Sequence, residues 1–373
     1  MIAAFFLCLA AAGCLYLIVA AAVARLPSGG RAAAAPPPAV SVLKPLHGDE
    51  PRLFDDLATF CAQDYPAPVE IVCGVRDPTD SAIAVVKRAQ AAFPDADLKL
   101  VVDETPLGAN LKVANLANIA RRAGRDCLVI SDSDIAVEPR YLERVAATLA
   151  GAGVGAVTCF YYGAAATGFW SQLSALAIDA HFLPNALFGL GAGLATPCFG
   201  STIALTRARL TEIGGFEAVA DRLADDYAIG EAVRARGLSV AVADVLVAHS
   251  CAETSFGELW RHELRWARTI RSVAPLGYAG SFLTHPLGAA LIAAATGAPA
   301  LGAGLAALAI VCRIVLFGAI RRRFGFAAPP SWLLPLRDLL SFATFVAGFF
   351  GGALSWRDKR FDLRPDGRLR ALR

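Results

Sequence analysis

The chain is apolar at both ends and alternates in between. Ile2 to Ala24 runs without a charge for about 23 residues, long enough to cross a bilayer. It lacks the early cation and short apolar core of a cleaved leader, which predicts a retained helix. Arg25 and Arg31 follow, and cations on that flank place the next domain in the cytosol. Ala32 to Pro38 reads as a short, stiff linker within residues 25–39. A second apolar region, Phe282 to Ile320, covers about 39 residues and is interrupted by Gly297-Ala298-Pro299, which predicts a hairpin of two spans. Arg321, Arg322 and Arg323 then mark a return to the cytosol. Trp332 to Leu354 reads as a further span or a re-entrant segment. The two readings put the basic tail, residues 355–373, on opposite sides.

From Val40 to about Val273 the pattern changes. Short β-branched runs at 40–43, 69–75, 98–102 and 127–130 alternate with helical periods near 51–63, 81–93 and 112–123. Strand and helix in alternation predict an α/β domain, residues 40–281, with a Rossmann-like, mixed but mainly parallel sheet. In such sheets ligands lie beyond the carboxyl ends of the strands. That rule points at Asp77 and Asp80 after the second strand and at Asp132 and Asp134 after the fourth. Neither a P-loop nor G-x-G-x-x-G follows the first strand, so a bound nucleotide needs another holder. Carboxylates with a divalent cation are the natural one.

Composition supports one soluble domain plus membrane segments. The 373 residues are 56% hydrophobic and 18% charged, against about a quarter charged in soluble domains. A net charge of +3 gives no argument for a nucleic-acid partner. The nine cysteines show no C-x-x-C spacing and read as small buried hydrophobes in a reducing compartment.

Two carboxylates two residues apart at a strand end can reach one hard cation, Mg²⁺ or Mn²⁺, so Asp132 and Asp134 are the metal candidates. Asp77 or Asp80 can accept from a base or a ribose, or simply cap a turn. Asp225 and Asp226 open a helix, where one can cap while the other, its pKa raised by its neighbour, serves as a general base. Glu258 to Arg271, in an interfacial helix over 256–271, is amphipathic and basic, which suits a membrane surface. Its arginines also suit a diphosphate. Trp260 and Trp266 on that helix, with His181 at the head of an apolar, Gly-rich run to Ser201, are the acceptor-side and membrane-facing candidates.

Together these motifs resemble the ceramide glucosyltransferase family of inverting glycosyltransferases with a GT-A fold. The resemblance spans about Val40 to Ser272. It rests on Ser41-Val42-Leu43-Lys44-Pro45-Leu46-His47-Gly48, the Asp77/Asp80 region, Gly108-Ala109-Asn110-Leu111-Lys112-Val113-Ala114-Asn115, Asp132-Ser133-Asp134, Asp226 in Ala224-Asp225-Asp226-Tyr227, and Arg265-Trp266. His262 departs from the family's last motif, which has Gln or Arg there. The His-Glu-Leu-Arg-Trp form is similar to a bacterial branch that includes hopanoid-biosynthesis-associated glycosyltransferases. The resemblance implies a UDP-sugar donor (glucose or N-acetylglucosamine) bound by Lys44, Pro45, Asp77, Asp80, Lys112, Asp132, His262, Arg265 and Trp266. It implies a lipid acceptor, ceramide or a hopanoid polyol, and a bacterial inner membrane with the catalytic domain in the cytosol. A processive polysaccharide synthase shares the Arg-Trp motif, but three or four spans are few for a pore. A catalytically inactive scaffold of the same fold would not need its acids intact.

Overall fold

The computed structural model describes residues 1–24 and 36–351, with the backbone of 353–356, 359–363 and 368–371. Arg25, Arg31 and most of the expected linker lie outside the described residues, as does much of the basic tail.

Eight strands form one sheet: β1 (Val40–Pro45), β2 (Val69–Val75), β3 (Asp97–Val102), β4 (Cys127–Ile130), β5 (Ile135–Ala136), β6 (Val154–Ala165), β7 (Ile203–Thr206) and β8 (Ser239–Cys251). The helices are α1 (Ile2–Val23), α2 (Leu53–Cys61), α3 (Ala82–Ala92), α4 (Leu111–Ala120), α5 (Tyr141–Leu149), α6 (Phe169–Ala177), α7 (Leu183–Gly191), α8 (Arg207–Glu212), α9 (Asp225–Arg234), α10 (Phe256–Val273), α11 (Pro275–Gly280), α12 (Pro286–Ala295), α13 (Pro299–Phe324) and α14 (Leu334–Gly348).

The sheet runs β3-β2-β1-β4-β7-β6-β8-β5. The first four strands are parallel, as the alternating pattern predicts, and β7 turns against β4. β6 and β8 are long, mutually parallel strands with a register shift near Thr158. The central strands are apolar on both faces because both faces are covered. Val42, Ile71, Cys73 and Val129 face one core, against α2, α3 and α5. Leu43, Val72, Leu128 and Ile130 face the other, against α4 and α9. Each such side chain removed from water contributes about 1.5–3 kcal/mol before chain entropy is set against it.

Among the described residues, three helical stretches are long and apolar enough to cross a membrane: α1, the continuous run Phe169–Gly191, and α13. The middle one joins α6 to α7 through a π turn, Ile178–Phe182. It covers part of the apolar, Gly-rich run that His181 heads. The break in the second apolar region falls where expected, at Gly297, whose φ of 123° suits only glycine. The first arm of that hairpin, however, is the ten-residue α12, about 15 Å long and half a hydrocarbon core. The 26-residue α13 alone is full length.

The fifteen-residue α14 lies along α10. Arg337 on α14 donates to Glu263 on α10 at 2.6 and 2.8 Å, both fully or nearly buried. Further along, Arg268 and Arg271 of α10 donate to the carbonyls of Phe350 and Phe349, just past the end of α14. These two arginines, read from sequence as suited to a diphosphate, here hold the end of α14. The next residue, Asp338, faces the opposite way and accepts from His181 at 2.8 Å and from Arg313 of α13. His181, expected on the acceptor side, is tied inside the bundle and stacked on His285. Beyond α14 a three-stranded antiparallel sheet forms over 353–371, and its Arg368 backbone pairs with Arg222 of the α/β domain.

Breaking a buried ion pair leaves one charge stranded. Glu263→Gln or Arg337→Met should each destabilise the chain by about 3–5 kcal/mol. Thermal unfolding in detergent checks this, with the double substitution to Met expected to recover most of the loss.

Candidate active site

The acids stand where strand ends and three loops converge. β4 stops at Ile130 and the chain turns through Ser131-Asp132-Ser133-Asp134. Lys44, fully buried, braces this turn by donating to the carbonyls of Asp132 (2.5 Å) and Ile135 (3.3 Å). Its ammonium also sits 4.1 Å from the Phe60 ring centre. With no exposed face, Lys44 shapes the acid turn from within the fold. Pro45 beside it is buried as well.

A second loop is pressed against a third. Asn110 caps α4 by accepting from the amides of Lys112 and Val113. Its amide group donates to the carbonyl of Arg222 at 2.7 Å and lies 3.4 Å from Asp225. Gly108 makes the contact feasible: its φ is +61°, and a Cβ there would lie 2.5 Å from the Ala220 carbonyl oxygen. The Gly-x-Asn-x-Lys segment thereby delivers Lys112 to the start of α9, where Asp225 and Asp226 stand.

Lys112 Nζ lies 2.6 Å from Asp132 Oδ1 and 3.5 Å from Asp225 Oδ2. Burial works against its charge, but Asp132, Asp225 and Asp226 outweigh it and raise the ammonium above its ordinary pKa. Asp226 takes the outer position. Its Oδ2 accepts from the amide of Gly200 at 3.0 Å, and its Oδ1 from that of Tyr227. Burial first, then the Asp225 charge, push Asp226 up to about 6, with Lys112 opposing. A side chain at Gly200 would intrude here, since a Cβ would come within 2.9 Å of Asp132 Oδ2.

Asp132 and Asp134 were expected to share one cation, but the structure gives them different partners. Asp134 turns toward His249, at 3.5 Å from Nδ1, beside Glu50 and His262. Burial alone would raise Asp134; His249 and Lys44 overcome this and hold it at about 2. Burial alone would lower His249; Asp134 chiefly reverses that and lifts it to about 9. Burial and the Asp134 charge push Glu50 up to about 7, although Ser133 donates to it. A hollow that holds a proton on imidazole to about pH 9 attracts positive charge. Asp134 Oδ1 and Glu50 Oε2 are buried without a hydrogen bond. Among the described residues no three His, Cys, Asp or Glu are grouped to hold a metal ion. Asp134, completed by phosphate oxygens and water, suits Mg²⁺ or Mn²⁺, and His249 could join it toward Mn²⁺ only by giving up its proton. The hollow opens into a cavity of about 330 Å³ that Arg261 also lines.

Other candidates fall into place around these two acid groups. His262 is held by Glu253 at 2.5 Å, with the Trp266 ring edge-on at 4.4 Å. Trp266, expected to face the membrane, has its ring 5.8 Å from that of His249. Arg265 is half-buried beside it. Trp260 packs on Phe256 at the outer end of α10. Asp80 accepts from the amides of Gly48 and Ala82 and pairs with His47, fixing the loop after β1. Asp77 is tied in a turn to Thr79. His249, Glu50, Glu253 and Tyr161 escape sequence reasoning. Tyr161 stacks on Phe182 at 4.4 Å and walls the acids from the helical bundle. Only the charge of Glu50 and Glu253, each in a strand-end loop, offered a signal.

The chain matches the model of Glycosyl transferase family 21 over residues 5–369. Ceramide glucosyltransferase 1 of Caenorhabditis elegans is 25% identical over 63% of this chain and 50% of its own length. A ceramide glucosyltransferase of Gibberella zeae is 32% identical over 31% of this chain and 24% of its own. The chain thus spans about half or less of these relatives. In fold it is similar to a mannosyltransferase from Pyrobaculum calidifontis, solved with GDP-Man and Mn²⁺. The TM-score is 0.58 at 22% identity, covering 94% of this chain and 99% of that one.

A carboxylate can serve as a base only when ionised, and Asp226, the candidate base, is ionised above its raised pKa. Turnover should therefore fall as pH drops through about 6. The pH profile of kcat checks this, with Lys112→Met expected to move the acid limb upward because it removes the cation opposing the lift.

Proposed function

Because this chain belongs to Glycosyl transferase family 21, we propose that it moves a single hexose from a UDP-sugar to a hydroxyl of a membrane lipid, with inversion. The observation that carries this reading is Asp226. It is a carboxylate lifted to about 6, aimed past Gly200 beside Asp132 and Lys112, and set behind a bundle of membrane-length helices. The names of the curated relatives favour glucose as the sugar and ceramide as the lipid. The motif form His262-Glu263-Leu264-Arg265-Trp266 favours a hopanoid polyol as the acceptor to compare.

In this reading Asp226 takes the proton from the acceptor hydroxyl, whose oxygen attacks the anomeric carbon from the face opposite the diphosphate. Lys112 keeps Asp132 and Asp225 in place and so sets the direction of Asp226. Asp134 and His249 would hold the divalent cation, which supplies charge neutralisation for the departing diphosphate. Arg265 and His262 border the same leaving group from α10. Tyr161 and Trp266 keep bulk water from the reacting face. The α/β domain lies on the cytosolic side, with α10 and α14 paired at the bilayer surface.

Two experiments test this. The full chain in lipid nanodiscs, given UDP-glucose or UDP-N-acetylglucosamine with ceramide or a hopanoid polyol, should add one sugar per lipid by mass spectrometry. Chains of several sugars would overturn it. Asp226→Asn should lower kcat by about 10²–10⁴ while donor binding changes little. His249→Asn should instead weaken Mn²⁺ affinity by about 10–100-fold, read by electron paramagnetic resonance.

A further inference from the structure

A larger cavity, about 880 Å³, lies away from the acids. It sits where the three membrane-length stretches end together: Val23 closes α1, Gly191 closes α7, and Arg323-Phe324 close α13. Arg323 donates to the Ala24 carbonyl at 2.9 Å, which fixes these ends at one level. The cavity floor belongs to the α/β domain. Phe160 and Tyr162 of β6, with Leu246 and Ala248 of β8, supply it. Alternate residues of the same strands, Tyr161 and His249, face the acids. One layer of sheet separates the two hollows.

The lining is apolar within and charged at the rim, and the rim charges balance. Arg144 and Arg323 stand with Glu138 and Asp244. Arg144 lies 3.2 Å from Glu138 and donates to the Asp244 carbonyl. Two cations and two carboxylates around an apolar throat, at the depth where spans leave the bilayer, complement a head group that carries both signs.

We propose that this cavity binds a zwitterionic glycerophospholipid, distinct from the lipid that accepts the sugar. Its phosphate meets Arg323 and Arg144, its ammonium meets Glu138 and Asp244, and one acyl chain enters along Leu187, Leu190 and Phe324. The bound lipid seats the α/β domain on the bilayer. This rests on the membrane placement of the helices proposed above.

Purified full-length chain should retain a stoichiometric zwitterionic phospholipid, detected by mass spectrometry after mild detergent extraction. Leu190→Trp, at a partly exposed position, plugs the throat, and Arg323→Gln removes a head-group contact. Each should lower retention by about tenfold. Nanodiscs of zwitterionic lipid should raise the unfolding temperature of the wild-type chain but not of Leu190→Trp, and purely anionic nanodiscs should raise neither. Equal retention in the variants overturns the proposal. So does equal stabilisation by anionic lipid, recovery of the sugar acceptor from this site, or a wild-type chain that retains no lipid. Resistance of the chain to alkaline extraction from membranes separates these outcomes: if it is lost in the wild type, the membrane placement itself fails.

Discussion

One ammonium group organises the acids. Asp132, Asp225 and Asp226 come from two separate stretches of chain, and burying three carboxylates together is unfavourable without a counter-charge. Lys112 supplies it from a third stretch, at the first turn of α4. Asn110 caps that turn and also holds the Arg222 carbonyl, so the cation and its partners are set by one loop contact. Asp226, which Lys112 does not contact directly, keeps a raised pKa and accepts from the Gly200 amide beside Asp132. The second hollow follows the same logic with a different cation. His249 answers Asp134, and Lys44 braces the turn between the two hollows from beneath.

The coupling of this domain to the helical bundle is also ionic. Adjacent residues of α14 face opposite ways, Arg337 toward α10 and Asp338 toward α13 and the π turn. The helix that carries His262, Arg265 and Trp266 is thereby referred to the long helices behind it. Packing alone would allow α10 to slide; a bidentate pair with matched partners on both sides allows one register.

Much of the fold was legible because its signals are local. β1 to β4 are short, continuous apolar runs, and their boundaries fall within a residue or two of expectation. The antiparallel β7 and the long β6 and β8 were not legible, since their pairing is decided by distant contacts and a register shift near Thr158. At the site, the motif acids and Lys112 were found at their strand and helix ends. The internal partners of Lys44, His181, Arg268 and Arg271 were not legible, because a charge in a sequence does not reveal whether a carbonyl or a carboxylate already holds it. His249 was passed over for the opposite reason. A lone histidine acquires meaning only when folding sets it beside Asp134. The length of α12 likewise depends on a local break at His285-Pro286 that hydropathy averages away.

The pleat of β6 has a consequence for how this chain can vary. Phe160 and Tyr162 line the rear cavity while Tyr161 faces the acids, and β8 keeps the same alternation through Leu246, Ala248 and His249. Substitutions on either face are separable, since each changes one chamber. A single-residue insertion or deletion is not, because it exchanges the two faces at once. Across relatives, these two strands should therefore drift in residue identity while their lengths after the bulge stay frozen.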